Sequence, residues 1–231
     1  IMKSKTTVTS RQILVPFVWL TMLCVGMLLI RIWVTKWIGY WYLAWNLFLA
    51  WIPLLLAIGL NSIPIARGQW SRLKLSKVVS LSMLWLLFLP NSFYIITDFI
   101  HLLDTQDMNI YFDIVMLGMY TLTGYGLGYI SVYLVQRQLG QVVRSKYVHG
   151  FVLGAMLLSG FAIYLGRYLR WNSWDIIVNP LGLFYDIGIR LIQPFEHGLT
   201  YGITILFFLF IAINYYVLAW LVTWLKKTKI S

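Results

Sequence analysis

The stretch Pro90-Asn91-Ser92-Phe93-Tyr94-Ile95-Ile96-Thr97-Asp98-Phe99-Ile100-His101 closes a long apolar run that begins near Lys77. Continued as a helix, it brings Asn91, Tyr94, Asp98 and His101 onto one face, because steps of three and four residues return to the same side after about one turn. An apolar helix therefore carries a single polar stripe. An amide, a phenol, a carboxylate and an imidazole set where hydrocarbon gives way to water are costly unless they meet each other, a partner helix or a ligand. The stripe marks a site at the end of a membrane span.

The rest of the chain fits that setting. Of its 231 residues 61% are hydrophobic and 11% charged, with a mean hydropathy of +0.80, against about 25% charged in soluble domains. This composition belongs to an integral, all-α membrane protein. Six spans are predicted, at about 13–30, 38–60, 78–99, 110–135, 148–168 and 200–224, which leaves no room for a separate soluble domain. The chain reads as one transmembrane helical domain over 1–231. Lys3, Lys5 and Arg11 precede the first apolar run, which resembles a signal peptide. The run is long for one and no small-x-small site follows, so a retained first helix is expected. Cys24 sits inside that run and has no intrachain partner, so a packing role is expected.

Charge sets the expected orientation. The N-terminal segment, the connection holding Arg67, Arg72, Lys74 and Lys77, the connection holding Arg137, Arg144 and Lys146, and the tail with Lys226, Lys227 and Lys229 together carry 13 of the 18 cations. The positive-inside rule places these segments, and with them both termini, in the cytoplasm. Asp98, Asp104, Asp107, Asp113, Asp175, Asp186 and Glu196 all fall on the other side. The net charge of +11 is spread along span ends, which fits membrane orientation rather than nucleic-acid binding.

In the second span Trp41, Trp45 and Trp51 read as interface anchors, Pro53 as a bend, and Asn46 as an amide deep enough to reach the stripe. Gly124-x-x-x-Gly128 and Gly150-x-x-x-Gly154 read as seams of close helix packing. After the fifth span comes Gly166-Arg167-Tyr168-Leu169-Arg170-Trp171-Asn172-Ser173-Trp174-Asp175, whose helical continuation puts Arg167, Arg170, Trp171 and Trp174 on one face. These residues are either snorkelling anchors or, with Asn172 and Asp175, the second half of the site. Asn179-Pro180 reads as an N-cap and first helical residue, opening a short external interfacial helix to about Ile192. Leu183, Phe184, Ile187 and Leu191 give it an apolar side in need of cover, and a position across the mouth of the site is expected.

Two strings, Leu89-Pro90-Asn91-Ser92-Phe93-Tyr94-Ile95-Ile96-Thr97-Asp98-Phe99-Ile100-His101-Leu102 and Gly166 to Asp175, resemble domain-of-unknown-function family 1361, a family of small polytopic bacterial membrane proteins. The resemblance implies a bacterial inner-membrane location. It carries no established chemistry.

The chemistry is therefore read from the residues. Asp98 and His101, one turn apart, suit a divalent ion such as zinc if Asp113, Asp175, Glu196 or His197 completes the shell. They suit acid and base roles equally, or a structural pairing with each other or with Arg167 and Arg170. No G-x-S-x-G elbow or phosphate loop is present, which argues against a serine hydrolase and a nucleotide enzyme. Two classes remain. One is an enzyme acting on a lipid-linked or cell-envelope substrate at the outer leaflet, with Asn46, Asn91, Tyr94, Arg167 and Arg170 binding it and the arginines holding an anionic group. The other is a non-catalytic module that binds a small polar ligand or a partner protein, such as a transporter's substrate-binding subunit. A transporter needs a polar path inward, for which Asn214 is the candidate in the sixth span.

Overall fold

A computed structural model describes residues 10–64, 71–104 and 110–228. Lys3, Lys5, Arg67, Asp107 and Lys229 lie outside them, as does the side chain of Asp104. The described residues are helical, without a strand: α1 Ser10–Thr35, α2 Trp41–Ser62, α3 Arg72–Tyr94 followed by a 3-10 helix Ile95–Asp104, α4 Ile110–Leu139, α5 Ser145–Tyr168, the short α6 Asp175–Val178, α7 Pro180–Ile192 and α8 Gly198–Thr228.

Among the described residues five helices are long and apolar enough to cross a membrane: α1, α2, α3 with its 3-10 extension, α5 and α8. The sixth expected span, α4, is not among them. Tyr120, Thr121, Thr123, Tyr125, Tyr129 and Ser131 dilute its apolarity, and the reason lies in its position. It packs against α1, α2, α3 and α5, with Tyr120, Thr123, Gly124, Leu127, Gly128 and Ser131 buried. A helix enclosed by protein over most of its surface needs only a narrow apolar face outward, here Ile114, Val115, Leu122 and Tyr133.

Helix neighbours alternate in direction. Arg31 near the end of α1 meets Asp113 in the first turn of α4, and Tyr40 before α2 donates to the carbonyl of His101 in the 3-10 helix. At the opposite end, Asn61 and Gln138 tie the close of α2 to that of α4, through bonds to the carbonyls of Leu134 and Leu60. Every described carboxylate thus lies toward the first end. The described cations Arg72, Lys74, Lys77, Arg137, Arg144, Lys146, Lys226 and Lys227 cap the second.

Small residues set the closest approaches. A Cβ on Gly124 would stand 2.8 Å from the Ser92 carbonyl oxygen, and one on Gly128 2.8 Å from the Ser92 Cβ, so this glycine pair is the seam that receives the end of α3. Gly150 and Gly154 face open space instead. The α5–α8 seam is made at Gly160, where a Cβ would lie 2.5 Å from the carbonyl oxygen of Thr204. Cys24 is buried beside Thr123, in keeping with packing. Trp51 is no interface anchor: its indole donates to Thr21 on α1 at 3.0 Å, while Trp41 and Trp45 stay exposed.

Candidate functional site

The helix of α3 does not run through to His101. After Tyr94 it tightens into the 3-10 form, and the Thr97 hydroxyl bonds back to the Tyr94 carbonyl at 2.8 Å. In a 3-10 helix residues three apart eclipse one another, so Asp98 and His101 still share a side. Asn91, Tyr94, Asp98 and His101 all line one cavity of about 320 Å³.

From α2 come Tyr42, Trp45, Asn46 and Leu49, one helical face of three- and four-residue steps. The Asn46 amide donates to Asp98 at 2.8 Å. Asp98 is 1% exposed, and its other oxygen stands 3.8 Å from the Arg167 guanidinium of α5. That guanidinium also donates to the Thr97 carbonyl at 2.5 Å and lies 5.9 Å from the centre of the Tyr94 ring. Arg167 is therefore turned onto the 3-10 segment while still lining the cavity. Asn91 donates to the carbonyl of Phe88 and to the Ser173 hydroxyl, both at 3.0 Å, which pins the loop after α5 to α3. The His101 ring packs 5.0 Å from that of Tyr42. Gly166 lies where a Cβ would press on the Tyr94 ring at 3.1 Å.

The loop after α5 departs from the helical continuation. Arg170 has φ of 60°, and the Trp171 N–H returns to the Leu165 carbonyl at 3.1 Å, the pattern of a helix ended by a left-handed residue. Arg167 and Trp171 line the cavity, Asn172 with them, but Arg170 and Trp174 do not. Arg170 is turned out to the surface. Trp174 packs edge-on against Trp45 at 6.1 Å. Asp175 accepts the Asn172 N–H at 2.6 Å and forms a local turn outside the cavity lining.

The expected metal shell does not assemble: among the described residues no three of His, Cys, Asp or Glu gather to hold an ion. Asp113 is instead paired with Arg31 at 2.8 and 3.2 Å, both fully buried. Glu196 and His197 lie in the turn before α8, outside the cavity lining. Asn214 bonds its own helix at Phe210 and is exposed on α8, so it offers no inward polar path.

Helix α7 begins as expected, with the Asn179 side chain accepting the Gly182 N–H at 3.1 Å and Pro180 in the first turn. Its orientation is reversed, however. Arg190 is buried and pairs with Asp186 at 3.2 Å, and Asp186 accepts the Trp171 indole at 2.8 Å. Leu181, Phe184, Tyr185, Leu191 and Ile192 face outward. Of the expected apolar side, Phe184 and Leu191 are turned outward, as suits a helix resting in lipid, while Ile187 is half-buried and Leu183 lines the cavity.

Sequence reasoning missed Tyr42, Trp45 and Ser173 as cavity residues. The signal was available for the first two, which stand four and one positions before Asn46 on the same helical face.

A family model described as "Protein of unknown function (DUF1361)" matches residues 45–214. No curated protein and no solved structure matches the chain. The chain belongs to that family, and the match takes in Asn46, Asn91, Asp98 and Arg167.

Proposed function

We propose that this is a bacterial inner-membrane protein whose cavity receives the polar head of a membrane-borne, lipid-linked substrate and works on it by acid–base chemistry. In this reading α4 is a sixth crossing helix, both termini are cytoplasmic and the cavity opens at the outer leaflet. The gathering of cations at the far end of the bundle supports that orientation.

One observation carries the functional reading: Asp98 is nearly inaccessible at the wall of an otherwise half-apolar cavity, held by a neutral amide at 2.8 Å and only loosely faced by Arg167 at 3.8 Å. A carboxylate kept solely for architecture gains most from close, charge-assisted bonds on both oxygens. Asp98 is held in place yet keeps capacity toward the cavity, as suits a group that gives or takes a proton from a bound substrate. His101 stands beside it as the second proton-handling group. Leu49, Leu87, Pro90 and Leu165 supply apolar wall for the linker of an amphiphile. With Asn214 turned to the outside of α8, the site ends within the bundle, which favours chemistry at the interface over transport.

The test is retention of an amphiphile through purification in native-lipid nanodiscs, read by mass spectrometry. Wild-type protein is expected to enrich one amphiphile over bulk lipid, and Asp98→Asn to alter its turnover or retention. No enrichment in the wild type contradicts the reading.

A further inference from the structure

The hydrogen-bonding inventory of the cavity says what kind of head group fits. The three wall amides are fixed by acceptors: the Asn46 NH2 faces the Asp98 carboxylate, the Asn91 NH2 the Phe88 carbonyl and the Ser173 hydroxyl, and the Asn172 NH2 the Asp175 carboxylate. Each leaves its carbonyl oxygen as an acceptor toward a ligand, and Asn46 and Asn172 each keep one N–H besides. The Tyr42 hydroxyl is buried at the same wall with no protein partner. It is able both to donate and to accept.

Such a mixed set suits a phosphate less than a hydroxyl, since a phosphate is all acceptor and gains nothing from carbonyl oxygens or from a carboxylate. Among the lining residues Arg167 and Asp98 balance, and the guanidinium is already directed to Thr97 and Asp98. Hydroxyls, which donate and accept at once, match carbonyl oxygens, a carboxylate and a phenol together. Trp45, Tyr42, Tyr94 and Trp171 add aromatic walls, each offering an apolar face beside a polar tip.

We propose that the group entering this cavity is an uncharged, hydroxyl-rich sugar ring carried on a membrane lipid, rather than a phosphate or another anion. This rests on the reading of the cavity as a site for membrane-borne amphiphiles and names the head it takes. The ring hydroxyls meet Asn46, Asn91, Asp98 and Tyr42, the ring faces lie on the aromatic side chains, and the lipid leaves along the leucine-lined wall.

The test uses the full chain in phosphatidylcholine nanodiscs with four probes: monoglucosyldiacylglycerol, diacylglycerol, phosphatidate and free methyl glucoside. Monoglucosyldiacylglycerol is expected to bind at least about tenfold tighter than the other three, a difference of one or two well-placed hydrogen bonds. Tyr42→Phe removes a hydroxyl that no protein group bonds, so the fold does not depend on it. This change and Asn91→Ala should each lower glycolipid affinity about threefold to tenfold while leaving diacylglycerol binding unchanged. Tighter binding of phosphatidate overturns the sugar assignment and leaves the amphiphile reading standing. Methyl glucoside binding as well as the glycolipid makes the ligand a free sugar and overturns the lipid-borne part. Glycolipid affinity unchanged in both variants overturns the assignment of the cavity, and binding of no probe contradicts both readings.

Discussion

Two carboxylates are buried at the same end of this bundle, and they are held in opposite ways. Asp113 is fully enclosed, and the Arg31 guanidinium meets both its oxygens at 2.8 and 3.2 Å. The guanidinium in turn lies 4.1 Å from the centre of the Tyr40 ring and 5.4 Å from that of Trp37. The ion pair ties α1 to α4, and the two rings add the connection between α1 and α2. Asp98 is as well buried, but an amide provides its one close bond and a cavity lies beside it. The difference separates architecture from a site: a buried carboxylate met by charge on both oxygens holds helices together, and one met closely on a single oxygen has capacity left for something else.

The largest effect is expected at the matched pair. Asp113→Asn or Arg31→Met leaves one buried charge without its partner and should cost about 3–5 kcal/mol of stability. Replacing both with apolar residues of similar volume should recover most of that loss. Thermal unfolding in nanodiscs measures both, and a double variant no better than the single ones would break the architectural half of the comparison.

The platform beneath Asp98 comes next. Gly128→Val drives side-chain atoms into Ser92 and Phe93, which already stand 2.8 Å from a bare Cβ position, and should cost about 1–3 kcal/mol. Gly150→Val, facing open space, should stay within about 0.5 kcal/mol. Equal losses at the two positions would show that the packing seam is drawn in the wrong place.

The smallest effect is expected at Arg170. It takes a left-handed conformation at φ of 60° that glycine adopts without steric cost, and its side chain lies outside the cavity lining. Arg170→Gly should raise stability by up to about 1 kcal/mol and leave ligand retention unchanged. A loss of retention would place Arg170 in the site after all.

How much of this was legible beforehand follows from which interactions are local. The N-cap at Asn179 and the facing of Asn46, Asp98 and Arg167 could be read, because capping is local and polar groups inside apolar spans have few places to go. The tightening after Tyr94 could not, since it depends on the fit of Ser92 and Ile95 against Gly124 and Gly128 of a helix far along the chain. The turn at Arg170 was hidden because the residue is not glycine, so the usual sign of a left-handed helix end was missing. The reversal of α7 was hidden for another reason. Its apolar stripe was visible, but whether that stripe faces protein or lipid depends on Trp171 and Tyr201, which hold Asp186 and the Arg190 carbonyl inward. Asp113 could have been assigned to Arg31 had the two been weighed as opposite charges at one depth.

The central claim is that Asp98 serves the cavity and Asp113 serves the scaffold. Side-by-side measurement of melting temperature and amphiphile retention for Asp98→Asn and Asp113→Asn in nanodiscs tests it most directly. The account predicts that Asp98→Asn melts within about 1 kcal/mol of the wild type, since an amide can keep the bond to Asn46, while retention or turnover of the amphiphile is lost. It predicts that Asp113→Asn melts well below the wild type and that its folded fraction still retains the amphiphile. Loss of retention in strict proportion to loss of folding, the same in both variants, would contradict it.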